Sequence, residues 1–164
     1  MSLRTPFCLS FLLLVHGFFA CTTESLQTDS IYALIPEFWL KAKWMPLHGA
    51  LVQFSSLMGA SPELAGRMLS ALAATALFFP VQALASRLAG GPRHLAVTLV
   101  LAFTPLLSRY AGLVLNDLIF CLWLLLALTS FLLHGRLFPL WVVLAILTRP
   151  EGWVLLPLLV IWHV

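Results

Sequence analysis

The sequence predicts an all-α polytopic membrane protein, a transmembrane helical bundle of about five or six spans, because each span needs roughly 20 apolar residues. Of 164 residues, 62% are hydrophobic and 9% are charged, and the mean hydropathy is +1.03. Soluble domains carry about 25% charged and about 45–50% apolar residues. Apolar runs also recur along the whole chain, separated by short polar breaks. These observations exclude a soluble enzyme and a nucleic-acid-binding domain, and the net charge of +3 indicates no polyanionic partner.

A single transmembrane domain is predicted over residues 1–164. Within it we expect a first span at 1–20, an external loop with an interfacial helix at 21–60, and a helical bundle at 61–164. The last residues, VLLPLLVIWHV, are still apolar. We therefore expect the chain to be a piece of a longer protein, truncated on its C-terminal side.

The first apolar run, PFCLSFLLLVHGFFA, covers residues 6–20 and follows Arg4. Its length and basic start fit either a retained span or a cleaved signal peptide, and we expect the span. Residues 21–46 are the longest polar stretch and contain two tryptophans, which prefer the headgroup zone, so this stretch is predicted to lie along a membrane surface. The run at 47–60 is apolar but short, which favours an interfacial helix.

Ser61-Pro62-Glu63 indicates a helix start, with an N-cap serine, a proline at the first helical position and an acid in the first turn. This helix is predicted to run to about Leu88 and to end at Gly90-Gly91-Pro92. The run at 111–133 is the strongest predicted span in the chain. Other apolar runs lie at about 95–107 and 138–147, and the last one begins at Trp153.

Charges divide unevenly between the two faces of this alternating map when the N-terminus is placed inside. The inside face carries four arginines and no acid, whereas the opposite face carries five cations and all six acids. Four cations against five do not fix the orientation by the positive-inside rule. The segregation of the acids instead indicates that the opposite, non-cytoplasmic face is the functional one. The inside arginines are Arg4, Arg87, Arg93 and Arg136.

Ionisable groups near the membrane interior are costly, so each is a candidate functional residue. Five of them share the acid-bearing face: Arg67, one turn into its helix; Arg109, between two spans; Asp117, about two turns into the strongest span; and Arg149 and Glu151, between two short runs. Structural roles stay open for four of them. Arg67 can extend to lipid headgroups, Arg149 can pair with Glu151, and Asp117 can pair with Asn116 or a neighbouring arginine.

Several short motifs occur in a characteristic order along the chain. They are DSIY at 29–32, PLH at 46–48, GASPELAGRMLSAL at 59–72, Pro105 followed by Asp117, and LTRPEG at 147–152. This order resembles the GT-C class of membrane glycosyltransferases, in the branch that contains protein O-mannosyltransferases and the bacterial lipid A aminoarabinose transferase. In that branch a loop acid and a tyrosine follow the first span, and a Pro-Leu step enters an interfacial helix.

The resemblance implies a sugar donor linked to polyprenyl or dolichyl phosphate and transfer to an acceptor hydroxyl with inversion. Asp29 is implied as the general base. Arg67 and Arg109 are implied to stabilise the phosphate leaving group, with Lys43 and Arg149 as weaker candidates for the same role. Supporting roles are implied for Asp117, Tyr32, His48 and Glu151.

No cofactor and no metal site are indicated, although some GT-C enzymes use a divalent ion. The expected partners are membrane lipid and the lipid-linked donor, with the acceptor unspecified and no nucleic acid. The expected location is multi-pass, in a bacterial inner membrane or the endoplasmic reticulum. Two other functions stay open: an inactive remnant or accessory subunit, and a small transporter component in which Asp117, Arg109 and Arg149 line a pathway. Histidines without metal-ligand spacing are predicted to lie at the interface: His16, His94, His134 and His163.

Overall fold

A computed structural model describes residues 4–22, 47–57, 59 and 61–163, and all regular secondary structure within those ranges is helical. This agrees with the all-α prediction. The elements are α1 (Arg4–Thr22), α2 (Leu47–Ser56), α3 (Pro62–Ala76), α4 (Phe78–Ala89), α5 (His94–Phe103), α6 (Pro105–Ala111), α7 (Asp117–Leu132), α8 (Phe138–Thr148), a 3₁₀ turn (Pro150–Leu155) and α9 (Leu156–His163).

The predicted helix start at 61–63 is confirmed. The hydroxyl of Ser61 accepts a hydrogen bond from the backbone N–H of Leu64 at 3.2 Å, which satisfies one of the free donors of the first turn. The predicted end is also confirmed, because α4 stops at Gly90, whose φ of +67° suits a residue without a side chain. Between α3 and α4 the helix is interrupted for one residue, since Pro80 has no N–H to donate to the carbonyl of Ala76.

The predicted number of spans is wrong for the described part of the chain. Two helices are long and apolar enough to cross a membrane: α1, with 19 residues, and α3 with α4, which together form a 28-residue helix. A third span results only if α5 and α6 are counted as one, although they meet at a bend of 70°. This bend lies at Thr104, where Pro105 starts a new helix rather than continuing α5. The apolar helices that follow have 10–17 residues and are shorter than a span.

The strongest predicted span is shorter than expected at its start. Residues 112–116 form a turn, and α7 begins only at Asp117. Asp117 is therefore the first residue of a helix, where its negative charge is favourable, and not a group two turns into a span. The turn is stabilised because Leu113, Val114 and Leu115 are all buried within it. Burial of three apolar side chains by this non-helical path outweighs the helical preference of the run.

Within the described residues the helices enclose one main core, one smaller core and a small cluster of Val52 with Val114. In the main core α1 packs against α3 and α5, and α3 packs against α6 and α7. Fully buried side chains at its centre include Leu12, Ala74 and Phe78. The smaller core joins α7, α8 and the C-terminal helices around Phe138 and Val142. The run that was predicted to form an interfacial helix forms α2, which packs against α3 and contacts α8.

Large apolar side chains also cover much of the outer surface. Phe7 on α1, Leu95 on α5 and Phe103 on α5 are between 67% and 73% exposed. A water-soluble monomer rarely exposes contiguous apolar patches beyond a few hundred Å². This surface is consistent with the membrane setting that the two long apolar helices indicate.

Candidate functional site

One end of the bundle collects the ionisable residues that the sequence singled out. We call it the mixed-charge end; α1 and α8 finish there, and α3 and α7 begin there. Its ionisable residues are Glu63, Arg67, Asp117, Arg149 and Glu151, which include all the acids within the described ranges. The predicted placement of these groups on one side of the bundle therefore agrees with the helix directions.

Arg149 is the centre of the larger charge cluster. Its Nη1 donates to Asp117 across 32 residues of sequence, joining the end of α8 to the start of α7. Its Nε and Nη2 donate to the two carboxylate oxygens of Glu151, at 3.2 and 3.1 Å. The guanidinium group also lies 5.9 Å from the ring centre of Phe120. Every nitrogen of this guanidinium therefore has a carboxylate partner.

Glu151 is the more accessible of the two carboxylates that hold Arg149. Its side chain is 56% exposed, against 31% for Asp117. The backbone N–H of Glu151 and the guanidinium of Arg149 lower the pKa of this carboxyl group below its ordinary value. Glu151 is therefore ionised at neutral pH and forms a two-pronged contact with the arginine.

The position of Glu151 depends on a close approach of the backbone at the next residue. Gly152 is buried against the last turns of α8, and a side-chain carbon at this position would lie 2.6 Å from the backbone nitrogen of Ile146. Its own N–H donates to the carbonyl oxygen of Arg149 at 3.0 Å. A glycine is required here because any Cβ would overlap the backbone of α8. This tight turn brings Glu151 back onto Arg149.

Arg67 forms the smaller charge cluster. Its Nη2 donates to Glu63, one turn earlier on α3, at 2.5 Å, and its Nη1 lies 3.4 Å from the carbonyl oxygen of Ala20. The side chain is 13% exposed, so it is held between α3 and the C-terminal end of α1. Arg67 therefore does not extend freely to headgroups in this arrangement, which was one of the open alternatives.

The two clusters are connected through the turn at 112–116. Gly66, beside Arg67, packs against the side chain of Val114, and the hydroxyl of Ser70 lies 3.4 Å from the carbonyl oxygen of Leu115. Val114 precedes Asp117 by three residues, a distance of at most about 11 Å along the chain. The turn thus carries Asp117 and its partner Arg149 to the same region as Arg67.

His48 lies in the first turn of α2. The ring is buried, and its Nε2 atom contacts no hydrogen-bond partner within the described residues. Burial lowers the pKa of His48 to about 4, because the charged imidazolium loses its hydration. This histidine is therefore neutral at physiological pH, and its predicted supporting role stays a prediction.

The remaining site predictions are not joined to these clusters. Arg109 lies in the last turn of α6 with an exposed side chain, and it makes no ion pair within the part of the chain that the structure describes. Asp29, Tyr32 and Lys43 lie outside the described residues, so their predicted roles stay predictions. Within the described ranges no three metal-binding side chains come together.

Two features of the site were missed from the sequence. Glu63 was recognised only as a helix-start acid, yet its spacing of four residues from Arg67 is the helical ion-pair spacing and indicated the contact. His16, predicted to lie at the interface, is fully buried, and its Nδ1 lies 3.1 Å from the hydroxyl of Thr75. No local signal predicts that contact, because the two residues are 59 positions apart and meet only when α1 packs on α3.

Comparison with known proteins does not add to this picture. The chain matches no protein-family model, no curated protein and no solved structure.

Proposed function

We propose that this chain carries the donor-binding and catalytic N-terminal part of a GT-C-like membrane glycosyltransferase. It transfers a sugar from a polyprenyl or dolichyl phosphate to an acceptor hydroxyl, with inversion at the anomeric carbon. The observation that carries the proposal is the gathering of Arg67, Arg149 and their acidic partners at one end of an otherwise apolar bundle. A donor with a polyprenyl tail needs both a cationic site for its phosphate and an apolar surface for its tail.

Arg149 is the residue best suited to bind the donor phosphate. Its fork to Glu151 is a two-pronged contact of the kind that a guanidinium makes equally well with a phosphate. Glu151 is more than half exposed and lies on a short turn, so a phosphate is able to replace it without disturbing the core. Asp117 keeps the guanidinium oriented through Nη1 during this exchange. Arg67, which is held by Glu63, adds positive potential nearby rather than a free fork.

The loop acid is connected to this end of the bundle by a short stretch of chain. Segment 23–46 joins the end of α1 to the start of α2, and Ala20 near that end already contacts Arg67. Asp29 follows Thr22 by seven residues, which span at most about 25 Å. The resemblance to GT-C enzymes assigns the role of general base in the proposed reaction to Asp29, which lies outside the described residues.

The proposed reaction is a single displacement. The acceptor oxygen attacks the anomeric carbon and its proton passes to the carboxylate of Asp29. The bond between that carbon and the phosphate oxygen breaks at the same time, and the lipid phosphate leaves with the bonding electrons. Arg149 stabilises the negative charge that develops on the leaving phosphate.

The experiment measures donor binding and donor turnover separately on the purified chain in lipid nanodiscs. Binding is followed by titration with undecaprenyl phosphate. Turnover is followed by release of lipid phosphate from a radiolabelled polyprenyl-phosphate sugar, with water as the acceptor. Arg149→Gln is expected to weaken binding about ten-fold or more, the loss of one charge-assisted contact. Asp29→Asn is expected to abolish turnover while binding survives.

The matched control is Arg136→Gln. Arg136 is an exposed arginine in the turn between α7 and α8, at the other end of α7 from Asp117. It is expected to leave binding and turnover unchanged. Equal loss of binding in Arg136→Gln and Arg149→Gln would refute the assigned phosphate site. Turnover that survives Asp29→Asn would refute the assigned base, and absence of any turnover in the unmodified chain would favour an inactive remnant.

A further inference from the structure

A second charged feature lies away from the mixed-charge end. A cleft of about 810 Å³ opens between the start of α1 and the turn that leads into α5. Its polar rim consists of Arg4, Arg93 and His94, and its walls include Phe7 and Leu95. This volume lies within the usual range of small-molecule sites, about 300–1,000 Å³.

The rim of the cleft is purely cationic over the described residues. Arg4 and Arg93 are both exposed, and neither forms an ion pair there, because every described acid lies at the mixed-charge end. The one hydrogen bond that the side chain of Arg93 makes in this region is a 3.4 Å contact with the carbonyl oxygen of Ala89. Two guanidinium groups thus face one cleft without a carboxylate to neutralise them, unlike Arg67 and Arg149.

His94 also lines this cleft. Its ring stacks on Phe78 with 6.0 Å between ring centres, which fixes its orientation. Its Nδ1 atom is buried and has no hydrogen-bond partner in the described structure, although buried polar atoms are usually paired. His94 is also the first residue of α5, whose first turn has no side-chain cap, so free backbone N–H groups lie at the same place.

The walls of the cleft offer an apolar surface beside the arginines of its rim. Phe7 is 73% exposed and Leu95 is 67% exposed, and both continue from the cleft onto the apolar outer surface of α1 and α5. A free anion uses the arginines and leaves this surface unused. An amphiphile uses both, with its phosphate at the rim and an acyl chain along the two helices.

We propose that this cleft binds the phosphate headgroup of an anionic phospholipid. The site is separate from the proposed donor site and does not depend on the glycosyltransferase assignment. Since the cytoplasmic leaflet carries the anionic lipids, a bound headgroup holds the start of α1 and the α4–α5 turn at that leaflet. The bound headgroup thereby fixes which end of the bundle faces the cytoplasm, which the count of cations on the two faces does not fix.

Native mass spectrometry of the purified chain in detergent tests the proposal. The probes are dioctanoyl phosphatidylglycerol, dioctanoyl phosphatidylcholine and inorganic phosphate. We expect phosphatidylglycerol to bind at least about ten-fold more tightly than either of the others, because only it offers a net negative headgroup and acyl chains together. Arg4→Gln and Arg93→Gln are each expected to weaken its binding about five-fold, the effect of roughly one cationic contact near a lipid surface.

Arg87→Gln is the matched control. Arg87 is an exposed arginine in the last turn of α4, close in sequence to the cleft but not part of its lining. It is expected to leave phosphatidylglycerol binding unchanged. Equal weakening by Arg87→Gln indicates diffuse surface charge and overturns the proposal. Equal affinity for phosphatidylcholine, or for inorganic phosphate, overturns it as well.

Discussion

Replacement of Gly152 by alanine tests the turn that positions Glu151 on Arg149. The added Cβ would lie 2.6 Å from the backbone nitrogen of Ile146 and 2.7 Å from the carbonyl carbon of Ala145, where ordinary contacts are about 3.5–4.0 Å. A backbone atom cannot rotate away as a side chain does, so the 3₁₀ turn must shift from α8 by about 1 Å. Overpacking of this kind costs about 1–3 kcal/mol of unfolding free energy.

The assay is equilibrium unfolding in mixed micelles of rising dodecyl sulfate fraction, followed by far-ultraviolet circular dichroism. Gly17→Ala is the control, because Gly17 is also helical and its Cβ would meet nothing within 4 Å. Alanine there is expected to stabilise α1 by about 0.5–1 kcal/mol, since it restricts the unfolded chain. The two substitutions are therefore expected to change the free energy of unfolding in opposite directions. If Gly152→Ala is as stable as the unmodified chain, the close approach of the turn to α8 does not exist.

Two further predictions concern single contacts of the site. In a double-mutant cycle on the free energy of unfolding, Asp117→Asn and Arg149→Gln are expected to show a coupling energy of about 0.5–1 kcal/mol. The coupling is modest because both side chains are about one-third exposed or less and remain partly screened by solvent. Additive effects of the two substitutions would mean that the ion pair contributes nothing to stability. The second prediction is that the free energy of unfolding decreases as the pH falls from 6.5 toward 4, by up to about 1.4 kcal/mol per pH unit. In this range His48 takes up a proton in the unfolded chain, whereas the buried ring of the folded chain, with a pKa of about 4, does not. His48→Gln is expected to remove this part of the slope, and an unchanged slope would contradict the assigned burial.

The helix boundaries show which predictions short-range chemistry supports. The start at Ser61 and the stop at Gly90 were both predicted, because a capping hydroxyl and a left-handed glycine act within one turn of their own position. The span at 111–133 was too long, because apolar content alone does not distinguish a helix from a buried turn. Its first residues leave the helix so that Leu113 and its neighbours enter the core, which is a consequence of packing on α3.

The contacts of the candidate site also divide into those that the sequence predicted and those that depend on helix packing. The placement of the candidate arginines and acids on one side followed from alternating helix directions. Of the two partners of Arg149, Glu151 was predicted from its spacing. Asp117 was expected to pair with Asn116 or with a neighbouring arginine that the sequence did not identify. The number of spans was also wrong, because the bend at Thr104 and the turn at 112–116 depend on proline geometry and burial together.

By itself the sequence determined a helical, strongly apolar chain, several of its helix boundaries and the end of the bundle at which the acids of the described residues lie. These properties arise from composition and from hydrogen bonds within a few residues. Only the tertiary structure decided that Arg149 joins two helices through Asp117, that Arg67 is held against the end of α1, and that Arg4 and Arg93 share one cleft. Such contacts depend on the packing of helices that are distant in sequence, and packing is a property of the whole bundle.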